Sequence, residues 1–206
     1  MQFIETLAEH AKAGQDISIL AHTHGQPATP TTMGKELAVF VYRFQRQLAQ
    51  IEHLKFLGKF NGATGHYNAH ISAYPNLPWQ DIARNFVQNL GLTFNPLTTQ
   101  IESHDYMAEV FHILICVNTI ALDLARDMWV YVSWGYLVQK PVASEVGSSP
   151  MPHKVNPIDF ENAEANLGIS TTRLEHLSTK LPVSRLQRDL SDSSAIRNIG
   201  PVGRSK

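Results

Sequence analysis

Apolar residues recur at helical spacing in four stretches of this chain, and a fifth helix is expected on other grounds. Phe3, Leu7 and Ala11 share one face, and Gly14 closes the run. After "TPTT", the positions Leu37, Phe40, Val41, Phe44, Leu48 and Ile51 repeat every three or four residues. They predict a helix reaching about Leu57, with Thr31 or Thr32 as its N-cap. Ile82, Phe86, Val87 and Leu90 predict a third, peripheral helix that stops at Gly91. The longest pattern runs from about Ser103 to Val138, where Met107, Val110, Leu114, Val117, Ala121, Leu124, Met128, Tyr131 and Gly135 form a heptad seam. Ile113, Ile115, Ile120 and Leu122 lie off that seam, so this helix should be covered on more than one side. A last helix is expected from Pro157 to about Ser178, with Pro157 suited to the first turn and Asp159 and Glu161 favouring the N-terminal end.

No alternating strand pattern of useful length, internal repeat or low-complexity linker interrupts this sequence. The expected fold class is all-α. A helix of thirty-odd residues is ~50 Å long, more than the ~40 Å diameter of a compact globule of this size, so the expectation is an elongated bundle associating through its helices.

Composition narrows the classes of function. The 206 residues are 43% hydrophobic, enough for a substantial core, and the formal net charge of −1 gives no basic surplus for holding a polyanion. Nucleic acid and membrane are therefore not expected as partners. The N-terminal "MQFIETLAEHAKAGQD" lacks the pattern of a signal peptide, and no charge-free window approaches a membrane span, which gives a cytoplasmic expectation. The single cysteine, Cys116, sits in an apolar run and is expected to be a packed thiol.

Five polar islands separate the helices: Ala21 to Thr32, Gly58 to His70, Asn95 to Asp105, Ser144 to Asn162, and "PVSRLQRDLSDSSAIRN" after the last helix. Each alone reads as a connection between helices. Together they gather the residue types of acid–base chemistry. The fourth, "SEVGSSPMPHKVNPIDFEN", is a loop on its proline and glycine content, and it offers Ser148 and Ser149 as hydroxyls, Lys154 as a cation and Asn156 as a neutral donor. Clustered donors beside a base suit a reaction that builds negative charge next to the carbon losing its proton, and a serine base needs a cation such as Lys154 to favour its alkoxide. Spacing does not choose Ser148 over Ser149.

His24, between Thr23 and Gly25, is a candidate general acid. Metal readings of His22 with His24, or of His66 with His70, are weak, because the glycine-rich segment around His66 does not read as helical. "GKFNGATG" fails as a phosphate-binding loop, since Lys59 lacks a following Ser or Thr. Arg185, Arg188 and Arg197 suit capture of a phosphate or carboxylate, with a solvated surface of local Arg–Asp pairs as the equal alternative.

"GSSPMPHKVNP" (Gly147 to Pro157) resembles the signature of the fumarase/aspartase superfamily of β-eliminating lyases. "THGQPATPTTMGKE", "GKFNGATGHYNAH", "YPNLPW", "LTTQIESHDY" and "LPVSRLQRDLSDSSAIRN" are similar to its adenylosuccinate lyase branch, and the match runs from about Ile17 to Gly200. The resemblance implies release of fumarate from a succinyl-nucleotide, with no redox cofactor and no metal. It implies Ser148 as the base, His24 as the acid that protonates the departing nitrogen, and Thr23, Gln100 and Ser149 as substrate-binding positions. Lys154 and Asn156 would contact the carboxylate that gains charge, and Arg188, Ser193 and Arg197 the nucleotide or its phosphate. It further implies a homotetramer whose active sites draw on three subunits. Residues 1–206 would then be an incomplete central helical-bundle domain without the family's N-terminal and C-terminal domains, inactive alone, and ending in an atypical "GPVGRSK". A sister fumarate-releasing lyase and a silent helical scaffold are the alternatives.

Overall fold

The computed structural model describes residues 1–140, 151 and 155–202. It is predominantly helical, and the chain divides into two compact units. Unit 1 comprises residues 1–49 and 116–169, and unit 2 comprises residues 50–115 and 170–206.

In unit 1, α1 (Gln2–Ala13) and α2 (Met33–Glu52) present the predicted stripes. Leu7, Ala11, Leu37, Phe40, Val41 and Phe44 are buried with Ile120, Leu124 and Met128 of α5 (Asp105–Ser133). Phe44 is only 4% exposed, and truncating such a ring costs about 3–5 kcal/mol. Gly34 lets α2 start against the end of α1: a Cβ there would lie 2.3 Å from the Ala11 carbonyl oxygen. Thr32 is the N-cap of the two candidates, its hydroxyl accepting the Lys35 N–H at 3.1 Å. Helix α2 stops at Glu52, earlier than its apolar pattern suggested, and residues 57–58 form a short strand instead.

The expectation of no strands fails at residues 18–32. β1 (Ser18–Thr23) and β2 (Gln26–Thr32) form an antiparallel ribbon, with Ser18 opposite Thr32, Thr23 opposite Gln26, and a bulge between Leu20 and His22. Pro27 and Pro30 hid β2, since proline argues against a central strand but is tolerated where one side of a ribbon is unpaired.

Unit 2 has its own core of Phe111, Leu174, Leu177, Leu181 and Ala195, with Met107, Leu114 and Ile115 against it. Its residues come from α5, from α6 (Ile158–Lys180) with Leu181 just after it, and from α7 (Ser191–Ile196). Short α3 (Asn68–Ala73) and α4 (Trp79–Asn89) follow β3 (Leu57–Gly58), and β4 (Thr93–Phe94) pairs parallel with β3. Helix α4 buries Ala83 and Val87, whereas Ile82, Phe86 and Leu90 of the predicted face stay exposed. A final turn, α8 (Ile199–Val202), places helix where "GPVGRSK" begins; residues 203–206 lie outside the described residues.

An 18-residue window of α5 has mean hydropathy 1.6, so by length and composition the helix is apolar enough to cross a membrane. Its charge-free stretch is only residues 110–122, between Glu109 and Asp123, shorter than a span, as the sequence led one to expect. One expectation about α5 needs correction. Cys116 is exposed and free, not packed, because the buried positions of α5 around it are Ile113 and Ile120, three back and four ahead. Burial of Ile113 and Ile120 does bear out covering beyond the heptad seam.

Candidate active site

Four non-glycine residues among those described adopt left-handed backbone: His24 (φ 54°), Tyr67 (φ 57°), His104 (φ 64°) and Leu186 (φ 51°). Each falls in a different polar island. Such residues store strain of order 1–3 kcal/mol and cluster where geometry serves a function. The islands are therefore shaped loops rather than slack connections.

In unit 1, His24 and Gly25 form the two-residue tip of the β1–β2 ribbon, both at positive φ, the geometry of a type I′ hairpin turn. Thr23 and His24 are both exposed at this tip. The ribbon is anchored behind the tip, where the His22 ring lies 4.1 Å from that of Trp134 and the Tyr136 hydroxyl donates to the Leu20 carbonyl at 3.4 Å. Asn156, in the residues leading into α6, is half-buried, and its carbonyl accepts the Ile158 N–H at 2.9 Å. Ser148, Ser149 and Lys154 lie outside the described residues. Glu161, in the first turn of α6, accepts the Trp129 indole N–H at 3.0 Å.

Unit 2 draws three islands together. The Gln100 backbone N–H donates to Gln187 Oε1 at 3.0 Å, which sets the 98–100 turn beside the segment bearing Arg188. Lys59, dismissed above as a phosphate-loop lysine, organises that turn. Its ammonium donates to the carbonyl oxygens of Gly62 (3.4 Å), Thr99 (3.1 Å) and Gln100. Three acceptors satisfy all three donors of the ammonium, and burial pushes the Lys59 pKa down. Asn61, fully buried, donates to Thr98 Oγ1 at 2.8 Å. Gly65 permits the close approach: at φ 81°, an added Cβ would lie 2.0 Å from the Thr98 carbonyl oxygen. No spacing signal reveals Lys59 as a scaffold residue, because its acceptors sit 41 positions away or in irregular backbone.

The His104 ring lies 3.8 Å from Glu102 Oε2 and 3.8 Å from Asp192 Oδ2, bridging the third and fifth islands. Asp192 accepts the backbone N–H of Ser193 at 2.6 Å and its hydroxyl at 3.2 Å, so Ser193 is held at the start of α7. Before it, Asp189 accepts the hydroxyl and N–H of Ser191 and pairs with Arg185 at 3.1 Å. The Ser191 hydrogen bonds, more than Arg185, lower the Asp189 carboxyl to about 2. Lys180 closes this loop by donating to Ser191 Oγ at 2.8 Å. Arg188 and Arg197 are exposed and make no ion pair among the described residues. Of the three island arginines, Arg185 thus fits the local Arg–Asp alternative, and the other two keep free guanidinium forks for an anion.

His66 precedes α3 and only His70 is helical, so the two do not share a helix face; His66 Nδ1 instead meets the Thr64 hydroxyl at 2.9 Å.

The adenylosuccinate lyase of Escherichia coli (strain K12) is 54% identical over 199 residues, covering 97% of this chain and 44% of that protein. The adenylosuccinate lyase of Legionella pneumophila (strain Corby) is 57% identical over 189 residues, 92% of this chain and 41% of that one. The chain thus spans less than half the length of these curated relatives. Among solved structures, a fumarate lyase from Mesorhizobium sp. BNC1 matches with TM-score 0.73 and 22% identity over 97% of this chain and 43% of that one. A 3-carboxy-cis,cis-muconate lactonizing enzyme from Pseudomonas putida matches with TM-score 0.74 and 24% identity over 95% and 42%. These two share the helical fold and bear out the all-α expectation. The family model described as "Lyase" matches residues 1–169, and the chain belongs to that family.

Proposed function

We propose that this chain carries part of the active site of an adenylosuccinate lyase of the cytoplasm, which releases fumarate from adenylosuccinate to give AMP, and from succinyl-aminoimidazole-carboxamide ribotide earlier in purine synthesis. The observation that carries the reading is the 54% identity to such an enzyme over 97% of the chain. The strained, cross-braced islands supply its physical counterpart.

In this reading Ser148 removes the succinyl β-proton, the C–H electrons build negative charge on the adjacent carboxylate, and Lys154 and Asn156 stabilise it. The electrons then form the fumarate double bond as the C–N bond breaks. His24 protonates the departing nitrogen, so acid and base act on opposite partners of one elimination. Thr23, Gln100 and Ser149 hold the substrate, while Arg188, Ser193 and Arg197 take the nucleotide and its phosphate. Neither cofactor nor metal has a part in these steps. We infer too that residues 1–206 belong to the central bundle of a homotetramer, and that the isolated chain lacks turnover.

A chimera tests this. Residues aligned to this chain in the Escherichia coli relative are replaced by the present sequence, and fumarate release is followed by ultraviolet absorbance. Turnover within about tenfold of the parent is expected, a barrier change below roughly 1.4 kcal/mol. A folded, tetrameric chimera without turnover would sink the catalytic reading and leave an assembly scaffold.

A further inference from the structure

Behind the hairpin, wholly within unit 1, lies a cavity of about 170 Å³ walled by His22, Tyr131 and Trp134 and floored by the carboxylates of Glu36 and Asp127. None of these residues has a role in the elimination described above. The aromatic side is ordered: His22 lies against Trp134 at 4.1 Å, and Tyr131 stacks with Tyr136 at 6.0 Å. Such faces carry negative potential.

The acidic side is only partly compensated. Glu36 accepts the Thr31 hydroxyl at 2.9 Å and an ion pair from Lys35, whose side chain is 64% exposed and screened by water. Asp127 makes no hydrogen bond or ion pair among the described residues; Arg43, which pairs with Asp123, offsets its charge only from a distance. Two titration shifts point the same way. Burial, then Asp123 and Glu36, raise the Asp127 carboxyl above its ordinary range, and burial followed by Glu36 and Asp127 pushes the Tyr131 hydroxyl up to about 12. Both shifts come first from half-burial of the groups, with neighbouring acids adding to it and Arg43 opposing it at Asp127.

We propose that this cavity binds a small organic cation, a guanidinium or alkylammonium group, stacked on Trp134 and held by the carboxylates of Asp127 and Glu36. An anion is repelled by both acids. A metal ion is a poorer fit, because no group of three or more His, Cys, Asp or Glu residues converges among the described residues, whereas flat aromatic walls suit a delocalised cation. Arginine-like ligands match both features, since a planar fork meets a carboxylate edge-on while its face lies on an indole. The inference is independent of the lyase reading, because it rests only on unit 1 groups that the elimination does not use.

The test is a titration of the 206-residue chain with methylguanidinium at constant ionic strength, read by the indole N–H resonance of Trp134, which is assigned by its loss in Trp134→Phe. A saturable shift with a dissociation constant on the order of 1 mM is expected for so small a probe. N-methylurea, neutral and of the same shape, should give none. Asp127→Asn should weaken binding by about tenfold or more, while Glu9→Gln on exposed α1 should leave it unchanged. Asp127→Asn keeps the shape and removes only charge, and an unchanged spectrum elsewhere verifies its fold. Equal response to N-methylurea, a linear unsaturated shift, or undiminished binding by folded Asp127→Asn would each overturn the proposal.

Discussion

Gln100 and Gln187 lie 87 positions apart in sequence, yet the backbone N–H of the first donates to the side-chain carbonyl of the second at 3.0 Å. A neutral hydrogen bond of this kind contributes only about 1 kcal/mol net. Its value is geometric: it registers the 98–100 turn, braced by Lys59, against the segment that presents Arg188.

Replacing Lys59 by Met keeps the aliphatic stem and deletes the ammonium. The carbonyls of Thr99 and Gln100 lose a charge-assisted donor, for which about 2 kcal/mol is a reasonable cost. Amide hydrogen exchange at Thr99 to Ile101 should accelerate about thirtyfold, while exchange in α1 and α2 stays as it was. Unchanged protection of the turn would show that Lys59 does not hold it.

Gly65→Ala meets two penalties at once, a left-handed backbone and a methyl placed on the Thr98 carbonyl oxygen. Together these should lower stability by about 3 kcal/mol, measured by urea unfolding. Gly91→Ala is the matched control, because Gly91 also has positive φ but nothing lies within 4 Å of its added Cβ. It should therefore cost only about 1 kcal/mol, the conformational part.

Asp189 gives a pH dependence with a definite sign. Its folded carboxyl titrates at about 2 against an ordinary 3.8, so it stabilises the fold fully above the unfolded value and loses that contribution as pH falls through the folded one. Stability of the native protein over Asp189→Asn should hence be greatest near neutrality and fade between pH 4 and pH 2. Paired acid titrations followed by circular dichroism check this; a gap that widens on acidification contradicts it.

Cys116 is exposed on α5 of the single chain. Association through that helix should bury it, so its reaction with a thiol reagent should slow by about tenfold or more as protein concentration rises through the assembly range. Equal rates in monomer and oligomer fractions would place the interface elsewhere.

In the active chimera, Ser148→Ala should cost several orders of magnitude in kcat, and Asn156→Ala roughly 3 kcal/mol of transition-state stabilisation. Full activity in Ser148→Ala would move the base to Ser149 or another group.

Much of this was legible in one dimension. The three-and-four spacing of Leu37, Phe40, Val41 and Phe44 determines α2, because a helix repeating every 3.6 residues must bury a stripe of that period. The motifs of the islands, taken in their order, pointed to the lyase family whose model matches residues 1–169. The ribbon at residues 18–32 was not legible: two prolines mask β2, and a hairpin is declared by the positive φ of His24 and Gly25, which no local composition announces. Cys116 was misjudged because an apolar neighbourhood in sequence spreads around every face of a helix, and only packing selects the face that closes. Tertiary structure alone decided that Lys59 grips the Gln100 turn, that His104 sits between Glu102 and Asp192, and that Glu36 and Asp127 share a cavity with Trp134. Periodicity encodes which face is apolar, whereas the pairing of polar groups far apart in the chain depends on where the packed helices bring their ends.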